Sequence, residues 1–163
     1  MRFAAFLGAA ALLAGCANPW NSMNVPPGTS REELLAHAGR PVGEYPLPGG
    51  GQRLQFTLQP LGYYAFMVDL DPAGRVVRTR QVMAPQEFLR IQDDVWTQQN
   101  ILFEFGPPAR IDTVGSWNGP IWQYRWYEPG QGPMFWYVYF DPQGVVRKSH
   151  QAIEFMNGPA DRR

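Results

Sequence analysis

The side chains able to do chemistry are few, and their placement limits what they can do. The chain of 163 residues holds one cysteine, Cys16, and two histidines, His37 and His150. Neither histidine belongs to a cluster with metal-site spacing, and a single thiol builds neither a thiolate zinc site nor an internal disulfide. His37 falls in the last turn of an expected helix, where a cation suits the macrodipole, and His150 falls in an expected strand. Among the serines, Ser116 lies in Gly115-Ser116-Trp117, which lacks the second glycine of a nucleophile elbow, and Ser22, Ser30 and Ser149 have no better context. Asp71 and Asp141 resemble a matched carboxylate pair, but each precedes Pro-x-Gly and so reads as the first residue of a turn. Asp93-Asp94 lacks the acidic partners at alternate positions that a calcium loop supplies. The expectation is a protein that is not an enzyme and takes no metal or cofactor.

Cys16 has a different use. Arg2 gives a positive start, residues 3–14 are uncharged and mostly apolar, and Leu12-Leu13-Ala14-Gly15-Cys16 ends the run. Twelve residues suit a signal h-region and fall short of the roughly 20 needed to span a bilayer. The pattern resembles a bacterial lipobox, which implies cleavage after Gly15 and acylation of Cys16. Several acyl chains on one residue anchor firmly where one holds poorly. Ala17 stands where an aspartate would resemble an inner-membrane retention signal, so the expected location is the periplasmic face of the outer membrane, with the N-terminal lipid as membrane contact.

Removal of residues 1–15 leaves thirteen basic and fourteen acidic side chains, with no electrostatic footprint for nucleic acid. Residues 16–27 contain three prolines and no charge and read as a tether, reaching roughly 35 Å if extended. Residues 157–163 read as a polar tail. Hydrophobic residues make up 45% of the chain, so a core can form without disulfides, while 17 glycines and 16 prolines punctuate it into short elements.

The body repeats itself. Asp71-Pro72-Ala73-Gly74 is echoed by Asp141-Pro142-Gln143-Gly144, Gly39 and Pro41 by Gly106 and Pro108, and Leu54-Gln55-Phe56 by Trp122-Gln123-Tyr124. Matches in one order at a nearly constant offset indicate two copies of one unit, spanning residues 28–82 and 83–156. Each copy offers a Ser/Thr cap, a short helix stopped by glycine, a turn-rich stretch, and strands around the Asp-Pro-x-Gly reversal. A linker helix is expected over residues 85–92. The fold expected is therefore α+β, two tandem units of one helix plus a three-stranded antiparallel sheet, with the helices on one face.

A lipobox, a capped helix ending in Gly-x-Pro, Trp122-Gln123-Tyr124 and Phe140-Asp141-Pro142-Gln143-Gly144-Val145 together resemble the BamE (SmpA/OmlA) outer-membrane lipoprotein domain, here in tandem. In the first unit Leu54 stands for the tryptophan and Leu70 for the phenylalanine. The resemblance implies an envelope scaffold or an accessory to the β-barrel assembly machinery. The architecture is also similar to the β-lactamase inhibitory protein, which suggests as alternative a periplasmic module that inhibits or chaperones an enzyme.

Residues 117–140 hold 10 of the 23 aromatic side chains, and strand alternation sorts them onto two faces. Trp136, Val138 and Phe140 are expected in the core. Phe135, Tyr137 and Tyr139 then share the opposite face, with Gln123, Arg125 and Tyr127 from the neighbouring strand. Such a face is either covered by the other unit or offered to a protein partner. The expected partner-binding residues are Phe135, Tyr137, Tyr139, Arg125 and Tyr127.

Overall fold

The computed structural model describes Met23 and residues 25–154. Cys16, the signal segment, most of the tether and the tail from residue 157 lie outside the described residues. Eleven elements follow in order: α1 (Arg31–Ala38), β1 (Gly43–Pro46), β2 (Gln52–Thr57), β3 (Ala65–Leu70), β4 (Val76–Gln81), α2 (Pro85–Phe88), α3 (Gln98–Phe105), β5 (Arg110–Asp112), β6 (Ile121–Glu128), β7 (Gly132–Phe140) and β8 (Val146–Ile153). They form two four-stranded antiparallel sheets, ordered β1-β2-β3-β4 and β5-β6-β7-β8.

This corrects the expected fold class. The protein is mostly β, with three short helices, and each sheet has four strands instead of three. The additional strands, β1 and β5, are edge strands of four and three residues lying in the stretches read as turns. They are too short to show a period of two, and Pro46 ends β1 at an edge, where a missing N–H breaks no ladder. The linker helix is also shorter than expected, a single turn over Pro85–Phe88.

Local chemistry builds both halves alike. The Ser30 hydroxyl accepts from the Glu33 N–H while the Glu33 carboxylate accepts from the Ser30 N–H, and Thr97 and Asn100 do the same for α3. Both helices stop at a glycine in the left-handed region, Gly39 (φ 78°) and Gly106 (φ 77°), which L side chains enter only with strain. Each Asp-Pro-x-Gly reversal closes by a backbone bond from its glycine N–H to the aspartate carbonyl, at 2.9 Å in the first unit and 3.0 Å in the second. The pairing of the last two strands slips at Asp69/Leu70 and again at Tyr139/Phe140.

The packing of the two halves is not the one expected, because the helices do not share one face. Leu34 of α1 packs with Leu54, Phe56, Val68, Leu70 and Val76 on the front of the first sheet. Helix α3 lies between the sheets. Ile101 and Phe105 join Tyr124, Trp126, Trp136 and Val138 on the front of the second sheet, and Ala65 and Met67 from the back of the first sheet enter the same cluster. Phe88 of α2 fills the centre, stacked on Trp136 at 4.9 Å and on Phe105 at 5.1 Å.

Candidate functional site

Two groups of side chains stand out, a buried ionic cluster between the units and an aromatic face on the second sheet. The first is built on the back of the first sheet. Arg53 Nε and Nη2 contact the Asp69 carboxylate at 2.7 and 3.1 Å, and Arg53 Nη1 reaches Glu104 of α3 at 3.0 Å. Arg80 spans Glu104 and Glu87, each at 2.7 Å, and Arg90 meets the same two carboxylates from the side. Burial alone would raise the Asp69 carboxyl, but the hydrogen bonds and charge of Arg53, aided by Arg78, outweigh it and hold the group below its ordinary range. Glu104 is likewise held low, with Arg80 and Arg53 overcoming the effect of burial. Carboxylates held ionised by guanidinium partners are poor general bases and cannot serve as acids near neutral pH. The cluster is therefore a clamp between the units. An open depression of about 530 Å³ beside it, bordered by Leu47, Pro72, Asp69 and Arg78, has its one buried carboxylate already committed to that clamp.

The other acids of the sequence analysis are also committed to structure. The Asp141 carboxylate accepts from the Val145 and Gln143 N–H groups and pairs with Arg147, and these contacts hold it below its ordinary range, the Val145 bond first. Asp71 accepts from the Arg75 N–H, and Asp94 pairs with Arg147. Among the described residues no group of His, Cys, Asp or Glu is arranged to hold a metal ion, and no helix is long and apolar enough to cross a membrane.

The aromatic face is the back of the second sheet. Strand β7 alternates without a break from Met134 to Phe140, burying Met134, Trp136, Val138 and Phe140 and leaving Phe135, Tyr137 and Tyr139 partly exposed. Register places Tyr137 between Gln123 and His150, and Tyr139 opposite Lys148. The rings form a ladder across the strands. Phe135 and Tyr137 lie 5.9 Å apart, Tyr137 and Tyr139 each stack on His150 at 5.3 and 5.4 Å, and Trp117 meets Tyr139 edge-on at 5.3 Å. The Lys148 ammonium sits 4.3 Å from the Tyr139 ring centre. Burial, then the neighbouring Tyr139, raises the Tyr137 phenol above its usual value, so it is a neutral hydrogen-bonding group throughout the physiological range. The first unit reaches this face through its β2–β3 loop at Arg125, the cross-strand neighbour of Phe135, while His150 at the other side of the ladder is exposed.

Two of the expected partner residues are placed otherwise. Arg125 is largely buried and engaged by the β2–β3 loop of the first unit, donating to the Pro60 and Leu61 carbonyls at 3.0 and 2.9 Å and to the Tyr63 hydroxyl at 3.2 Å, and it pairs with Glu154. The Gln59 amide bridges the Arg125 N–H and C=O at 3.1 and 2.7 Å, capping the edge of β6 beyond the short β5. Tyr127 leans on Tyr63, with ring centres 5.8 Å apart, and is 48% exposed. Both residues therefore mark the junction between units more than the open ladder. Sequence reasoning also missed the role of Arg53, Gln55, Asp69 and Arg80. Their alternation with apolar residues reads as a solvated face, and only the position of α3 buries it.

No protein-family model matches the sequence, and no curated protein matches it. One solved structure is similar, the crystal structure of a DUF4309 family protein (YjgB) from Bacillus subtilis subsp. subtilis str. 168, at 11% identity with a TM-score of 0.32, covering 77% of this chain and 79% of that one. Similarity at that level carries no argument about fold or function.

Proposed function

We propose that the protein is a non-enzymatic lipoprotein of the outer membrane, tethered through Cys16 at the periplasmic face, that acts as an envelope scaffold or β-barrel assembly accessory by binding protein. The observation that carries this is the partly exposed ladder of Phe135, Tyr137, Tyr139 and Trp117 on a sheet whose other face packs Trp122, Tyr124, Trp126, Trp136 and Val138 into the core. Rings with polar tips, held in place by a strand and bordered by a cation, are the residue types that dominate protein interfaces. The paired carboxylates of the ionic clamp support a structural role for the remaining charged groups. The lipobox and the BamE-like motifs support the location.

A photo-crosslinking amino acid at Tyr137 in cells, with mass spectrometry of the adducts, tests the proposal. Adducts with β-barrel assembly components support it. Adducts with one soluble periplasmic enzyme indicate an inhibitor or chaperone of that enzyme. No protein adduct from this face refutes partner binding through it.

A further inference from the structure

The internal repeat pairs the face that the ladder occupies with an equivalent face on the first sheet. Gln55 faces Met67 across β2 and β3, and Gln123 faces Tyr137 across β6 and β7, so the backs of the two sheets correspond position by position. On the first sheet that face is occupied by the end of α3. Gln55 Nε2 donates to the Leu102 and Phe103 carbonyls at 2.7 and 3.2 Å, and a methyl added at Gly106 would lie 3.5 Å from both Gln55 and Met67. Phe103 is held between the Arg53 guanidinium, 4.3 Å from its ring centre, and the edge of Tyr45 at 5.7 Å. On the second sheet no helix of the described residues takes this place, and Gln123 Nε2 makes only a 3.3 Å contact with Asp112.

The group that matches α3 is α1. Helix α1 has the same reciprocal cap and the same glycine stop, and its outer side is open: Ala36 and Gly39 are exposed, and a methyl added at Gly39 would meet nothing within 4 Å. We propose that the aromatic face of the second sheet receives the α1 helix of a second copy of this chain, repeating between molecules the seat that α3 takes on the first sheet within one. This names the partner of the surface assigned above and rests on that assignment.

Side-chain volumes are exchanged between the two seats in the sense this requires. Where the first sheet offers Ala65, Met67 and Asp69, the helix brings the large Phe103. Where the second sheet offers Phe135, Tyr137 and Tyr139, α1 brings Ala36 at the position of Phe103. Donors are conserved in kind. The last-turn carbonyls that accept from Gln55 and Arg53 in the first seat would accept from Gln123 and the tyrosine hydroxyls in the second. The two surfaces differ from each other, so the contact is heterologous and its products are head-to-tail chains, not closed pairs.

The test is density-matched sedimentation of the full chain in non-ionic detergent, with Ala36→Arg blocking α1 and Tyr137→Glu blocking the sheet. The wild type is expected to grow past dimer as concentration rises. Each variant alone should lose association at least about tenfold, and their equimolar mixture should form a dimer that grows no further, because one open surface of each kind remains. His150→Glu, an exposed site in the same ladder, replaces Tyr137→Glu if near-ultraviolet circular dichroism shows that variant misfolded. A wild type that stays monomeric, a mixture of folded variants that stays monomeric, or an Ala36→Arg chain that assembles like wild type would each overturn the proposal. Crosslinks from Tyr137 to a different protein, with a monomeric wild type, would leave partner binding standing and remove only the second copy.

Discussion

Gln55 and Tyr124 hold one helix end from opposite sides. From the first sheet, Gln55 Nε2 donates to the Leu102 carbonyl at 2.7 Å, and from the second, the buried Tyr124 hydroxyl donates to the Gly106 carbonyl at 2.8 Å. The last turn of α3, which would otherwise bury unpaired carbonyls, is thereby satisfied by both units at once. The two halves repeat one plan in sequence but share this helix, so they are expected to unfold together.

Replacing Arg53 with alanine leaves Asp69 and Glu104 buried with fewer partners. Breaking a buried pair in this way costs about 3–5 kcal/mol, or roughly 10 °C or more in melting temperature for a protein of this size. Calorimetry should show the loss in a single transition. Two separated transitions would show that the clamp does not couple the units.

Asp69 and Glu104 titrate below their unfolded values, so the unfolded chain binds protons more readily as pH falls. Their contribution is complete above about pH 5 and is lost as pH falls through the lowered folded values. The wild-type melting temperature should therefore fall steeply on acidification below about pH 4. Asp69→Asn with Glu104→Gln should start lower at neutral pH and show a shallower decline. An equally steep decline would assign the acid sensitivity elsewhere.

Gly51 and Gly119 occupy matching places beside the register slips. A methyl at Gly51 would lie 2.3 Å from the Leu70 carbonyl oxygen, and one at Gly119 would lie 2.0 Å from that of Phe140. Backbone must move to admit either, so Gly51→Ala and Gly119→Ala should each destabilise by about 2–3 kcal/mol in denaturant titration. Gly39→Ala, with open space but a positive φ, should cost about 1 kcal/mol.

Tyr137→Ser with Tyr139→Ser should leave folding cooperative, because both rings are partly exposed and the opposite face of β7 is untouched. Partner capture should weaken by about 1–2 kcal/mol for each ring removed. A double variant that fails to fold would make these rings part of the core.

Labelled palmitate should enter the wild-type chain in cells and be absent from Cys16→Ser. Label in the variant would remove the anchor, and with it the assigned location.

Short-range chemistry made the caps, the glycine stops, the Asp-Pro-x-Gly reversals and the alternation of β7 legible in the sequence, since each is decided by residues a few positions apart. The ladder followed from that alternation, because a strand's side chains change face at every residue. Edge strands β1 and β5 did not show, being too short to carry a period and defined only by the neighbour they pair with. The fate of Arg53, Gln55 and Asp69 could not be read locally either. Polar residues alternating along a strand look the same whether water or a helix lies above them, and α3 reaches them from about fifty residues away in the chain. Arg125 shows the converse, a residue suited to a partner surface that tertiary contact with Pro60, Leu61 and Tyr63 draws into the junction instead. Sequence order determined two similar units, and only the three-dimensional packing decided that one helix serves both sheets and that, among the described residues, no helix covers the aromatic back of the second.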